Sequence, residues 1–420
     1  MKVLWLCNLE MSDADPSSTG TWLAAMARGL MDTGDIQLGV VSEAPVGQVT
    51  RRDYRGVSQW LVPEDRSVSP NGLPSPSVVR DILAAGDAFV PDLIHVWGTE
   101  SYWGLLTARR LLRAPALLEM QGLKMTIAGV FYGGLSLLDR LHCIGIKEIL
   151  KRRTMYHDRR DFERWGAMER EMIQGHDCID VQSPWMAAQV QAINPNARLF
   201  KSDRALRREF ERAVAWQSPG QPVVFTTSAY PAPFKGLHVA VRAVAALRQR
   251  CPGARLRIAG PHQRVGIRQE GYVRWLNALV RELGMEGNVD WLGTLSAAQI
   301  VQELQTAGAA LIPTFVESYC VAMAEAMQVG TPAVAAYTGG TSHLGRDEET
   351  CLFFPAGDSA MCAYQLERVL KDEKLAVRLS QQAREAATRR QDRQHLVRRQ
   401  IEAYRQVLGE SASDGVVGLR

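Results

Sequence analysis

Short, nearly uninterrupted apolar runs alternate with stretches of helical spacing along most of this chain, in two successive series. The first series has runs at residues 3–7, 36–41, 93–96 and 116–120, with a helical pattern at 22–30, and resumes at 179–181 and 197–201. Runs of this length with so few polar interruptions fit strands buried on both faces, which means parallel sheets covered by helices. Residues 51–77 are rich in Pro, Ser, Arg and Asp and predict a single strand, near 57–62. A polar stretch ending in Ser218-Pro219-Gly220-Gln221-Pro222 separates the series. The second runs through 223–226, 256–259, 289–292, 309–312, 333–336 and 351–354, again with helical patterns between. The predicted fold is α/β: two tandem Rossmann-like, doubly wound parallel-sheet domains facing a cleft. The expected boundaries are 1–210, 211–390, and a C-terminal helical stretch at 391–420 that packs back on the first domain and ends in a frayed tail.

A length of 420 residues accommodates this comfortably. Composition excludes several classes. With 46% apolar and 22% charged residues the chain is neither disordered nor collagenous. A net charge of +4 is too slight to announce a nucleic-acid partner. Seven cysteines, an odd number with no two at zinc-ligand spacing, predict a reduced, cytoplasmic chain. The opening MKVLWLCNLE lacks the apolar length and cleavage site of a signal peptide and reads as a first strand.

Between Gly122 and Arg170 the alternation breaks. This stretch is expected to be a helical insertion (122–170) of the first domain. Its apolar, Gly-containing part is followed by Lys and Arg clustered from Lys147 to Arg153. Two readings follow. Residues 129–153 form an amphipathic helix that lies peripherally on the inner face of an anionic membrane or holds a lipid-linked acceptor; or the stretch is a lid or helical insertion with a solvated basic end.

Ligands in open parallel sheets bind outside the carboxyl ends of the strands. After the predicted strand 309–312 the chain reads Pro313-Thr314-Phe315-Val316-Glu317-Ser318-Tyr319-Cys320, then VAMAEAMQVGTPAVAA. Ser318 is a candidate cap, Gly330 a stop and Pro332 an entry to the next strand, so a helix is expected to start near Ser318. Its N-terminal amides and dipole suit an anion such as a pyrophosphate. A helix from there would separate Glu317 and Glu325 by roughly 12 Å, one carboxylate for a sugar and one for a ribose diol. Glu325 lies amid Ala, Met and Val, where an unpaired carboxylate is costly. Lys235, in a loop shaped by Pro231, Pro233 and Gly236 after the first strand of the second series, places an ammonium where a departing phosphate needs one.

The element Glu317-x7-Glu325, with its preceding strand and Pro, the EAM, the GTP turn and Gly339-Gly340, resembles that of family-four retaining glycosyltransferases with the GT-B fold. Lys235-Gly236-Leu237, Val289-Asp290-Trp291-Leu292-Gly293 and Phe354-Pro355-Ala356-Gly357-Asp358 agree in order. The resemblance implies an acceptor-binding first domain and a nucleotide-sugar-binding second domain. It implies that Glu317 binds donor-sugar hydroxyls, Glu325 the ribose, and the amides of Ser318, Tyr319, Cys320 and Val321 the sugar and phosphates, while Lys235 neutralises the diphosphate. Gly20 resembles a shortened glycine loop approaching the diphosphate, and Gly293 and Leu295 lie where the family packs the base. Three departures stand out. Ala229 occupies a place that often holds Arg, a role open to Arg204, Arg264 or Arg268; Gln121 stands where many relatives have His; and Cys320 stands where Gly is common. Asp13-Ala14-Asp15 spells a metal-site motif in an unrelated context and reads as a solvated loop; His95 reads as a satisfied core residue. The implied activity is metal-independent, retaining transfer of a hexose from a UDP-sugar or GDP-sugar to a hydroxyl of a carbohydrate or lipid-linked acceptor, in glycan or polysaccharide biosynthesis, with no cofactor. A non-catalytic nucleotide-sugar-binding partner and a sugar-nucleotide epimerase are the alternatives.

Overall fold

The computed structural model describes residues 1–12, 21–65, 69–228, 230–260 and 269–409, the side chains of residues 21 and 22 excepted. The chain forms two compact units. The first comprises residues 1–124, 164–205 and 391–420; the second comprises 125–163 and 206–390.

Among the described residues, the first unit carries a sheet of β1 (Lys2–Cys7), β2 (Gln37–Ala44), β3 (Thr50–Tyr54), β4 (Val57–Pro63), β5 (Leu93–Trp97), β6 (Ala116–Glu119), β7 (Cys178–Val181) and β8 (Arg198–Lys201). Their order is β3-β4-β2-β1-β5-β6-β7-β8. All pairs are parallel except β3 with β4. The region expected to hold one strand thus holds a hairpin. Its turn, Arg55-Gly56, has φ of 52° and 82°, the left-handed values of a two-residue hairpin loop. β3 reads Thr-Arg-Arg-Asp-Tyr; it is a charged edge strand, which blunts edge pairing and carries no apolar run to announce it.

The helix Arg393–Val407 packs into the core of this unit beside the helix Thr21–Asp32. Its Tyr404 is fully buried; the hydroxyl accepts from Trp5 Nε1 at 3.1 Å and bonds His95 Nδ1 at 2.8 Å. Burial pushes His95 down to about 3, against the charge of Asp180, so it stays neutral.

The second unit is a sheet of β9 (Val223–Thr227), β10 (Arg255–Ala259), β11 (Val289–Gly293), β12 (Ala309–Ile312), β13 (Ala333–Ala336) and β14 (Leu352–Phe354), in the order β11-β10-β9-β12-β13-β14 and parallel throughout. The chain moves outward from β9 to β11, then returns to the other side of β9 for β12. The loops leaving β9 and β12 therefore flank the point where the order reverses.

Residues 125–163, expected as part of an insertion in the first domain, pack with this second unit. The reason lies in long-range contacts. Phe131 and Phe162 meet Phe234, at ring separations of 5.9 and 6.1 Å. The Gly133 carbonyl takes a hydrogen bond from buried His238 Nε2 at 2.9 Å, while Tyr272 Oη lies 3.0 Å from Nδ1. The neutral imidazole with its proton on Nε2 satisfies both bonds.

Burial pushes His238 from its ordinary 6.5 down to about 4; the Gly133 bond and Asp139 oppose the shift, and Arg242 adds to it. Between pH 6.5 and about 4 the unfolded chain binds a proton here that the folded chain refuses, so stability falls as pH falls through that window. The full effect is about 3 kcal/mol. His238→Gln keeps a donor and an acceptor without the titration. Urea unfolding of both proteins between pH 7 and 4 should show a shallower acid-side loss for the variant; parallel curves would refute the assignment.

Candidate functional site

The site is built from the loops after β9 and β12. The strand β9 ends at Thr227, and Pro233–Lys235 form a single 3-10 turn closed by Gly236 at φ 71°. A Cβ on Gly236 would lie 1.9 Å from the Pro313 carbonyl oxygen, so only glycine lets the two loops approach this closely. They are then joined: Phe315 N donates to Phe234 O at 2.8 Å, and the Thr314 hydroxyl lies 3.2 Å from the same carbonyl. This junction sets Lys235 opposite Glu317, Nζ to Oε1 at 2.7 Å. Both side chains remain partly open to solvent. Burial pulls the Lys235 pKa down, but the Glu317 carboxylate, by charge and hydrogen bond, carries it above the ordinary ammonium value. Lys235 is charged at any working pH.

A third loop fixes Glu317 from the other side. Gly340 N donates to Glu317 O at 2.7 Å, and the Thr338 hydroxyl donates to Phe315 O at 2.8 Å. A side chain on Gly339 or Gly340 would collide with the Glu317 or Ser318 carbonyl. The Gly339-Gly340 pair in the sequence is thus the backing of the Glu317 loop.

The helix expected from Ser318 starts later, as Val321–Val329. Its N-cap is Cys320, in the left-handed region at φ 75°, ψ 71°, with no side-chain cap bond. Ser318 and Tyr319 therefore belong to the loop, and Glu317 and Glu325 do not share one continuous helix. The correction has a physical cause. The tight turn at residue 320 redirects the chain before the first helical amide, leaving the first-turn amides without the side-chain cap that a Ser318 start would have given. Tyr319 and Cys320 are buried, and burial raises the Cys320 pKa, so the thiol stays protonated.

Glu325 is buried, and its partner is Arg207, Nη2 to Oε1 at 2.8 Å. Burial raises the Glu325 pKa, against the charge and hydrogen bond of Arg207. Arg207, also 5.0 Å from the Phe210 ring, was not singled out from sequence. It precedes β9 in the polar stretch between the series, and no local motif marks it. His238 was missed likewise: it stacks on Phe315 at 6.0 Å, supporting the loop junction from below.

Gly293 ends β11 at φ 71° and accepts from Gly260 N at 2.8 Å; Leu295 packs partly buried on the core of the same unit. Gln121 belongs to the first unit, beyond the end of β6 and near Gly98 and Glu100. Arg204 is also in the first unit, 3.7 Å from Glu119, and donates to Met120 O at 3.4 Å. Gly20, Ala229, Arg264, Arg268, the Asp13-Ala14-Asp15 motif and the tail beyond residue 409 lie outside the described residues. Among the described residues, no group of three His, Cys, Asp or Glu side chains is placed to hold a metal ion. The seven cysteines are unpaired.

The second unit thus sets an ammonium and a carboxylate together in the loops at the carboxyl ends of adjacent strands, followed by a helix N-terminus and, within that helix, the buried carboxylate of Glu325. Such a set suits a ligand with an anionic centre flanked by hydroxyls.

Residues 208–386 match the family described as Glycosyl transferases group 1. Among curated proteins, the chain is similar to D-inositol 3-phosphate glycosyltransferase of Saccharomonospora viridis, 33% identical over 204 residues, which is 48% of this chain and 46% of that protein. The protein of that name from Corynebacterium efficiens is 32% identical over 157 residues, 37% of this chain and 36% of that protein. The chain spans less than half the length of these relatives. Among solved structures, sucrose-phosphate synthase from Thermosynechococcus elongatus superposes with a TM-score of 0.70 at 16% identity, covering 97% of this chain and 99% of that one. Anabaena HepE in complex with UDP and glucose gives 0.66 at 15% identity, covering 97% and 100%. These likenesses show the fold, two parallel-sheet α/β domains of the GT-B type.

The left-handed Cys320 gives a direct test of the loop geometry. Cys320→Gly removes the steric penalty and should leave stability within about 1 kcal/mol of the parent, whereas β-branched Cys320→Val should cost about 2 kcal/mol or more. Chemical denaturation measures both, and equal stabilities for the two variants would contradict the strained turn.

Proposed function

We propose that this chain, whose residues 208–386 form a Glycosyl transferases group 1 domain, transfers a hexose from a nucleoside diphosphate sugar to an acceptor hydroxyl with retention of anomeric configuration. The observation that carries the reading is the Lys235–Glu317 pair, held at 2.7 Å at the strand-order reversal just ahead of the helix Val321–Val329. A diphosphate placed there would meet a charged ammonium and first-turn amides, and the sugar attached to it would meet the Glu317 carboxylate. The UDP and glucose named with the Anabaena structure support a UDP-sugar as donor, with a GDP-sugar the other candidate. The acceptor is a carbohydrate or lipid-linked hydroxyl, and the role is glycan or polysaccharide assembly.

In this reading the anomeric carbon–oxygen bond to the diphosphate breaks and its electron pair leaves with the phosphate. Lys235 and the helix amides hold that developing charge, the role otherwise given to a metal ion. The acceptor oxygen bonds to the same face of the sugar, and its proton passes to the departing phosphate oxygen. Glu317 orients the sugar through its hydroxyls, and Glu325, steadied by Arg207, offers its carboxylate to the ribose.

Two variants test this. Lys235→Ala should lower turnover of a UDP-sugar or GDP-sugar by about 10²-fold or more with the fold intact, a loss typical of removing one stabiliser of developing charge; turnover near the parent's would remove the assigned role. Glu325→Gln, which still accepts from Arg207, should weaken binding of the free nucleoside diphosphate by about tenfold through loss of charge-assisted bonds. Titration calorimetry reads it, and unchanged affinity would exclude the ribose assignment.

A further inference from the structure

Residues 125–163 of the second unit expose an apolar surface that the proposed reaction does not use. Two short helices, Leu137–His142 and Ile146–Leu150, present Leu137, Leu138, Leu141, Ile146, Ile149 and Leu150 to solvent, each 53% to 75% exposed. Isolated exposed leucines are ordinary, but six large aliphatic side chains within fourteen residues form a patch of the kind that marks an interaction surface.

The underside of the patch is firmly held. Arg274 donates to His142 O and Ile144 O at 2.6 and 3.0 Å, Glu148 accepts from Gly145 N and Gly271 N at 2.9 Å each, and Lys147 pairs with Glu270 at 3.2 Å. The surface is therefore preformed on the body of the unit.

Charge selects the occupant. The acidic residues nearest the patch are engaged locally: Asp139 caps its own helix through Ser136, Glu148 is spent on the two amides, and Asp158 and Asp161 pair with Arg153. Lys151 and Arg152, both exposed and directly following Leu150, make no ion pair among the described residues. The patch thus presents aliphatic pegs beside uncompensated cations on long flexible stems. Among the described residues no helix is long and apolar enough to cross a bilayer.

We propose that this face docks on an anionic bilayer, with the leucines and isoleucines entering the headgroup–acyl boundary and Lys151 and Arg152 held at the lipid phosphates. The inference is independent of the transfer reaction.

Flotation of the full chain with vesicles of phosphatidylcholine alone, or of phosphatidylcholine and phosphatidylglycerol in equal amounts, tests it. The parent should bind the anionic vesicles about tenfold or more tightly than the neutral ones, and less tightly at high salt. Ile149→Glu with Leu150→Glu should lower binding to anionic vesicles about tenfold or more, and Lys151→Glu with Arg152→Glu should reduce it to the level of neutral vesicles. Circular dichroism and nucleoside diphosphate affinity should stay unchanged in both, which separates this proposal from the reaction. Absence of parent binding, or equal binding by parent and variants, overturns it. So does a concentration-dependent dimer in sedimentation velocity that the Ile149/Leu150 variant abolishes, since a second copy would then cover the patch.

Discussion

The site depends on one close approach of backbone to backbone. The Gly236 Cα lies so near the Pro313 carbonyl that no Cβ fits, and the Phe315 amide donates to the Phe234 carbonyl at 2.8 Å. The loops leaving β9 and β12 would otherwise be two independent segments with their own fluctuations. Joined, they behave as one rigid edge, and Lys235 and Glu317 face each other because the main chain puts them there. The aromatic support beneath, Phe131, Phe162 and Phe234 with His238 stacked on Phe315, packs the side away from solvent. Preorganisation of this kind removes the cost of ordering the groups when a ligand arrives.

How much of this could be read from the sequence follows from the range of the interactions. The strands of the second unit are continuous apolar runs buried on both faces, a local property, and each of the six appears within a few residues of its expected place. Gly236 and the Gly339-Gly340 pair were legible as punctuation, though not the carbonyls they accommodate. The start of the helix at Val321 was misplaced because Ser318 is a good cap by type, while the deciding fact, a cysteine in the left-handed region, runs against its local preference. The strand β3 was missed because an edge strand has no core face to be apolar. Residues 125–163 went to the wrong unit because their place is decided by Phe131 meeting Phe234 and Gly133 meeting His238, pairs about a hundred residues apart that no spacing rule connects. Arg207 was invisible for the same reason: nothing beside it in the sequence predicts a carboxylate 118 residues later.

The two Glu residues of the E-x7-E element sit in opposite settings. Glu325 is buried and held by Arg207 over 2.8 Å, with burial raising its pKa. Removing the arginine would leave a buried charge without a partner, a costly state, so the pair is part of the fold as well as of any binding role. Glu317 is in the loop, partly open to solvent, and pairs with a lysine that is itself partly open.

A pair partly open to solvent is partly screened, and two flexible side chains must be ordered to form it, which limits what it adds to stability. The Lys235–Glu317 contact is therefore a poor explanation of stability and a good arrangement for exchange. The carboxylate keeps the ammonium charged and holds it in place. In the proposed reaction Lys235 would turn from the carboxylate to an entering phosphate oxygen, and Glu317 would be released to accept hydroxyl hydrogen bonds. A lysine suits this better than an arginine would: its single ammonium on a flexible stem gives up one partner for another, where a bidentate guanidinium would hold the carboxylate through two bonds. The rigid main chain and the loose side-chain pair are complementary, the first fixing where the charges are and the second leaving them free to change partners.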